Sequence, residues 1–182
     1  MNDIIISNHL RQYMDIPKDY VFLINLALIY TLAQLESELL SIPNNIIIDF
    51  PEKRIKYPQN KYPPSQIFPL IEKYKNIKYI AISNVEFIED IQKFSSFFNK
   101  VEIILKIESY TGYKNLSILL DFISKIQDPI CQIDTEDLQR DIEKRGLLKD
   151  VWDISNKINI ICKGYKNGTT LNLGGEVFIT SK

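Results

Sequence analysis

The sequence predicts an α/β fold, a compact (β/α)8 TIM-type barrel with shortened or missing helices, in a single domain spanning residues 1–182. Three observations lead there. Short β-branched runs recur eight times along the chain. Between most of them lie amphipathic segments with apolar residues at helical spacing. The strand-like runs are nearly continuous in Ile, Val and Leu, as strands buried on both faces of a parallel sheet must be. The length, 182 residues with 45% hydrophobic side chains, suffices for one well-buried core. It is short for a barrel of this type, which usually needs roughly 250 residues, so some helices must be stunted.

The candidate strands, in order, are DIIIS (3–7), VFLINLA (21–27), NIIIDF (45–50), YIAIS (79–83), VEIILKIE (101–108), PICQID (129–134), INIICKG (158–164) and TTLNLGGEVFI (169–179). The candidate helices are TLAQLESELL (31–40), FPLIEKYK (68–75), EFIEDIQKFSSFF (86–98), NLSILLDFISKI (115–126) and RDIEKRGLLKDVWDISN (140–156). Asn167-Gly168 is a turn signal and predicts that the last two strands are joined with little or no helix. The Pro-rich piece YPQNKYPPSQIFP (57–69) reads as one loop.

Composition removes several function classes. The formal net charge is −1, from 22 basic and 23 acidic residues, which argues against a general affinity for nucleic acid or anionic membranes. Segment 53–79 interleaves lysines with tyrosines in a way that fits phosphates or single strands, but the balanced overall charge favours a solvated helix face over nucleic-acid binding. No secretory signal is expected, and YVFLINLALIYTLAQL (20–35), broken by Asn25, Thr31 and Gln34, is too short to cross a bilayer. Cys131 and Cys162, both in apolar runs, suggest free thiols in a reducing cytoplasm. His9 has no partner at ligand spacing, so a zinc site is not expected.

Charge inside an apolar strand is the functional signal. Lys106 and Glu108 lie two residues apart in ILKIE, so they share one face of the strand with Glu102 and Ile104, near its C-terminal end. Ligands in parallel α/β folds are met at that end. Asp134 reads either as a second carboxylate there or as the N-cap of the helix that follows. A Lys106 paired with Glu108 or Glu136 in a closed, dry mouth would instead mark these residues as structural relics.

IKYIAISNVEFIEDIQKF followed by KVEIILKIESYTGYKNLSILL resembles the barrel of pyruvate kinases, with its Lys-Ile-Glu strand followed by Gly and Asn. VFLIN, IIIDFPEKRIK, CQIDTEDLQRDI and, faintly, LGGEV extend the likeness in unbroken order over residues 21–176. The resemblance implies that Lys106 stands beside the reacting oxygens and that Glu108 and Asp137 hold a divalent cation, Mg2+ or Mn2+, which also grips a small oxoacid of the pyruvate or phosphoenolpyruvate type. It places Asn25 and Asp49 around the family's monovalent cation, as substrate-side residues. Arg54, just past a strand end, is the candidate replacement for the family's substrate arginine, whose place is taken by Leu23.

The departures are specific. Ala27 and Phe50 replace the hydroxyl residues of the cation site, Glu136 replaces the glycine before the metal aspartate, and ICKG replaces the seventh strand's catalytic threonine motif. Between Lys56 and Ile77 a loop stands where the family inserts a lid domain. Phosphoryl transfer is therefore not expected. The expected function is binding of a divalent metal and an oxoacid, with enolate chemistry if the chain is an enzyme. The alternative is a non-catalytic pseudoenzyme that serves as a binding or assembly module. The strand face near the termini predicts a homodimer or a protein partner.

Overall fold

Runs of branched apolar residues fix where the strands lie, and the residues flanking them fix where the helices start. The computed structural model describes residues 4–7, 20–173 and 177–180. In chain order the elements are β1 (Ile4–Ser7), β2 (Val21–Asn25), α1 (Leu32–Ser41), β3 (Ile46–Phe50), α2 (Pro64–Lys73), β4 (Ile77–Ile82), α3 (Ile88–Gln92), β5 (Glu102–Ile107), α4 (Tyr110–Lys114), α5 (Leu116–Ile123), β6 (Ile130–Asp134), α6 (Thr135–Lys144), α7 (Val151–Lys163), β7 (Thr169–Leu173) and β8 (Val177–Thr180).

Strands β2 to β7 pair with their neighbours in chain order, all parallel, and form a six-stranded half-barrel. The short β1 adds to β2 in parallel. β8 runs antiparallel to both β7 and β1. The expected (β/α)8 barrel is thus corrected to an α/β fold built on a parallel half-barrel with seven α-helices among the described residues. The reason is chain length: three residues, 174–176, separate β7 from β8. A parallel crossover needs a dozen or more, so the chain returns as a hairpin.

The same miscount reaches one element further back. INIICKG, expected as a strand, is the C-terminal half of α7, and the single helix expected over 140–156 is split between α6 and α7. Ile154, Ile158 and Cys162 recur at helical spacing and are buried, whereas Ile160 is 71% exposed. That exposure is incompatible with a strand buried on both faces. The segment 169–179, expected as one strand, is the pair β7 and β8. Asn167 does take a left-handed turn conformation (φ 54°), but the turn joins α7 to β7. The placement of ICKG at the family's seventh strand fails with it.

Two apolar layers hold the sheet. On the outer face, Phe22, Ile24, Ile46, Ile48, Ile80, Ile82, Ile103 and Leu105 pack against the helices. On the inner face a smaller cluster of Val21, Leu23, Ile47, Ala81, Ile104 and Leu171 fills the concavity. The period of two along each strand separates these sets. It also carries the inner face upward, past its aliphatic layer, to Asn25, Asp49, Ser83, Lys106, Glu108, Gln132 and Asp134 at the C-terminal ends.

Helix entry is set locally. Thr31 caps α1 by accepting from Gln34 N, Ser109 caps α4 from Gly112 N, and Asp134 caps α6 from Asp137 N. α2 begins at Pro64, where a missing N–H costs nothing, and includes Pro69. This is why it starts four residues before the apolar periodicity suggests. The loop before it is pinned to the turn after β2, with Asn60 donating to Ala27 O at 2.9 Å and Tyr62 to Ile29 O at 3.0 Å. His9 and the Gly174-Gly175-Glu176 segment lie outside the described residues. No helix among the described residues is long and apolar enough to cross a membrane.

Candidate functional site

A cleft of about 880 Å³ opens at the C-terminal ends of the strands. Asn25, Asp49, Arg54, Lys106, Glu108 and Asp137, the residues singled out from sequence, all line it. Their parts within it differ.

Lys106 lies on the floor. Its residue is 6% exposed, and its ammonium donates to Asp49 Oδ2 at 3.1 Å and Ser83 Oγ at 3.0 Å and pairs with Glu108 Oε1 at 3.0 Å. An ammonium has three donors, so all of them are engaged. Burial works against the charged amine, yet Asp49 and Glu108 outweigh it and hold Lys106 above the usual lysine range. Glu108 is 4% exposed. Burial pushes its carboxyl up from the ordinary glutamate range; Lys106 pulls it down, and the nearby Asp49 and Asp134 push it up again. Its second oxygen accepts from Asn84 N at 2.9 Å. Asn84 reaches that position through a left-handed backbone (φ 52°), a conformation asparagine tolerates well.

The pairing of Lys106 with Glu108 that would mark these residues as structural relics is therefore present, and both residues are buried. The mouth is not closed over it.

Asp137 lies in the first turn of α6, where Lys56 Nζ reaches its Oδ1 at 2.7 Å and Arg140 Nη1 at 2.8 Å. Glu136 points along the rim to Arg140 at 3.2 Å. Arg54 braces the loop, its Nε donating to Pro58 O at 2.8 Å. Asn25 accepts from Ala27 N at 2.9 Å and so shapes the turn after β2. Ala27 and Phe50 are buried, and Phe50 packs edge-on against Phe94 with ring centroids 4.9 Å apart. Neither side chain offers an oxygen for a monovalent cation.

Glu108, Asp134 and Asp137 offer carboxylate oxygens that all lie within 4.8 Å of one another. Oxygens around Mg2+ at about 2.1 Å stand roughly 3 Å apart when adjacent and 4.2 Å when opposite. A separation of no more than 4.8 Å places all three within reach of one such ion once their side chains adjust. Hard carboxylate oxygens without His or Cys suit Mg2+ or Mn2+. The floor also carries three carboxylates, Asp49, Glu108 and Asp134, against one amine, Lys106. Lys56 and Arg140 do compete for Asp137. Both pairs are solvent-exposed, however, and such pairs contribute only about 0–1 kcal/mol.

Sequence reading missed Ser83, Asn84, Lys56 and Gln132, and it left Asp134 undecided. Counting in twos along each strand from the aliphatic inner layer finds Ser83 above Ala81 and Gln132 above Ile130. Asn84 and Lys56 act from loops, where no periodicity reports them. Asp134 does both of its expected jobs, since one oxygen caps α6 and its carboxylate joins the cluster. No family model matches the chain, and no curated protein matches it either.

Proposed function

We propose that this cleft binds a divalent cation, Mg2+ or Mn2+, together with a small acid of the pyruvate or phosphoenolpyruvate type, and that the chain is a reduced relative of the pyruvate kinases that does not transfer phosphoryl groups. The observation that carries the proposal is the convergence of Glu108, Asp134 and Asp137 at the mouth of an open cleft. Glu108, Asp134 and Asp137 are the residues that would hold the cation. When bound, the cation supplies positive charge to the oxygens of an α-oxoacid. The rim carries Lys53, Arg54, Lys56, Arg140 and Lys144 interspersed with Glu86, Glu136, Asp137 and Asp141, so an anion would be drawn in chiefly by the bound cation, with these side chains as local partners. Lys106 keeps Glu108 and Asp49 in place and lends its charge through them, since it has no donor left for a ligand.

That last point favours a second reading, a non-catalytic binding or assembly module. Thermal melting separates the two. A ligand present at about 100 times its Kd stabilises by about 2.7 kcal/mol, which in a chain of this size raises the melting temperature by about 5–10 °C. A rise of that order with Mg2+ or Mn2+, enlarged by oxalate and absent from Glu108→Ala and Asp137→Ala, supports the first reading. No response to either metal leaves the module.

The free, buried Cys131 and Cys162 support a reducing cytoplasm. Exposed Leu148, Trp152 and Ile160 support a homodimer or a protein partner. Light scattering that shows a monomer at high concentration removes the homodimer.

A further inference from the structure

Gln132 is the polar residue of the floor to which the metal reading gives no task. It lies on β6 between Ile130 and Asp134 on the inner face, opposite Lys106 of β5 and Leu171 of β7. Its side chain lines the cleft, the residue is 1% exposed, and its Oε1 has no hydrogen-bond partner among the described residues. Its inner-face neighbours are Leu171 opposite on β7 and Ile130 before it on β6, both aliphatic, and Lys106 opposite on β5 and Asp134 after it, both charged. Leu or Met at this position would fill the same space without stranding a carbonyl, and a buried polar atom without a partner is destabilising. Lys106 is not the missing donor, since Asp49, Ser83 and Glu108 engage all three of its N–H groups. Among the described residues, then, no side chain or backbone group donates to Gln132 Oε1.

We propose that Gln132 is a specificity-determining residue whose Oε1 accepts a hydrogen bond from a hydroxyl of the bound acid, so that the cleft takes a hydroxylated small acid in preference to pyruvate itself. This inference rests on the metal and oxoacid reading above and names the ligand class within it. Pyruvate carries only acceptor oxygens, so a complex with it leaves Gln132 Oε1 buried and unpaired. Lactate has the same heavy atoms with a donor at C2, and 3-hydroxypyruvate places one at C3. A site built to pair a buried polar group discriminates strongly against the analogue that lacks the partner.

The test is calorimetric titration of the whole chain, first with Mn2+ alone and then, in saturating Mn2+, with pyruvate, lactate and 3-hydroxypyruvate. Wild type is compared with Gln132→Leu and Gln132→Met. At least one hydroxylated acid binds wild type about tenfold more tightly than pyruvate, the size of one net hydrogen bond. In either folded variant that ratio falls to about one by the same reasoning, Mn2+ affinity is unchanged, and the ligand-free melting temperature is no lower than wild type. Equal binding of all three acids to wild type, or a preference that survives in the variants, overturns the role of Gln132 while leaving the metal reading intact. Loss of Mn2+ from the variants also overturns it, by making Gln132 a metal ligand. Absence of Mn2+ binding to wild type overturns the metal reading and this inference together.

Discussion

Replacing Lys106 by Met tests whether the floor of the cleft is a buried ionic network. Methionine matches the lysine stem in length but leaves Asp49 Oδ2, Ser83 Oγ and Glu108 Oε1 without the ammonium that now lies 3.0–3.1 Å from each. Lys106 is 6% exposed and Glu108 4%, so water has little access to compensate. Removing one partner of a buried pair typically costs 3–5 kcal/mol, because the other charge stays buried. At about 2–4 °C per kcal/mol for a chain of this size, the melting temperature falls on the order of 10 °C at neutral pH. Adding Glu108→Gln to Lys106→Met removes one of the stranded charges and recovers part of the loss, an interaction of about 1–3 kcal/mol between neighbours. Urea denaturation of the two variants and of Glu108→Gln alone completes the cycle. A Lys106→Met loss below about 1 kcal/mol, the range of exposed pairs, refutes the reasoning and shows a wet floor.

Two further outcomes test the surroundings of the site. Burial alone would raise the Asp90 carboxyl, but Lys53 Nζ at 2.7 Å and the amides of Glu86 and Phe87 hold it below the ordinary range. A depressed carboxyl stabilises the fold above its unfolded value, about 3.9, and loses that contribution as pH falls through the folded one. Asp90→Asn is therefore less stable than wild type by about 1–2 kcal/mol at pH 7, and the gap in melting temperature closes as pH drops below about 4; a gap that does not vary with pH contradicts the assignment. Gly112 approaches the backbone of Val85 so closely that an added Cβ would stand 2.5 Å from Val85 O. Gly112→Ala is expected to cost about 1–3 kcal/mol by overpacking, read as a lower denaturation midpoint, and an unchanged midpoint rules out that tight contact.

The sequence made the parallel strands legible because each is an apolar run bounded by a turn or a helix cap, and β2 to β6 lie where those runs lie. It failed at α7, whose Ile158, Ile160 and Ile161 crowd together with Cys162 and imitate a strand over a short window. Only the longer repeat Val151, Ile154, Ile158, Cys162, buried on one side, shows the helix. Once α7 took that segment, too little chain remained for an eighth parallel unit. Within the site, Lys106 and Glu108 stood out because charge in an apolar strand is conspicuous. Gln132 and Ser83 are neutral and did not stand out, although the period of two places them on the same face. Lys56 meets Asp137 across 81 positions of sequence, through a loop whose path no local pattern encodes.

The most direct measurement is anomalous diffraction from crystals of the chain soaked in Mn2+. The proposed function predicts one strong peak in the cleft, about 2.1 Å from oxygens of Glu108, Asp134 and Asp137, with Lys56 and Arg140 moved off Asp137. A peak elsewhere on the surface, or none in the cleft while Lys106, Asp49 and Glu108 keep their present contacts, contradicts it.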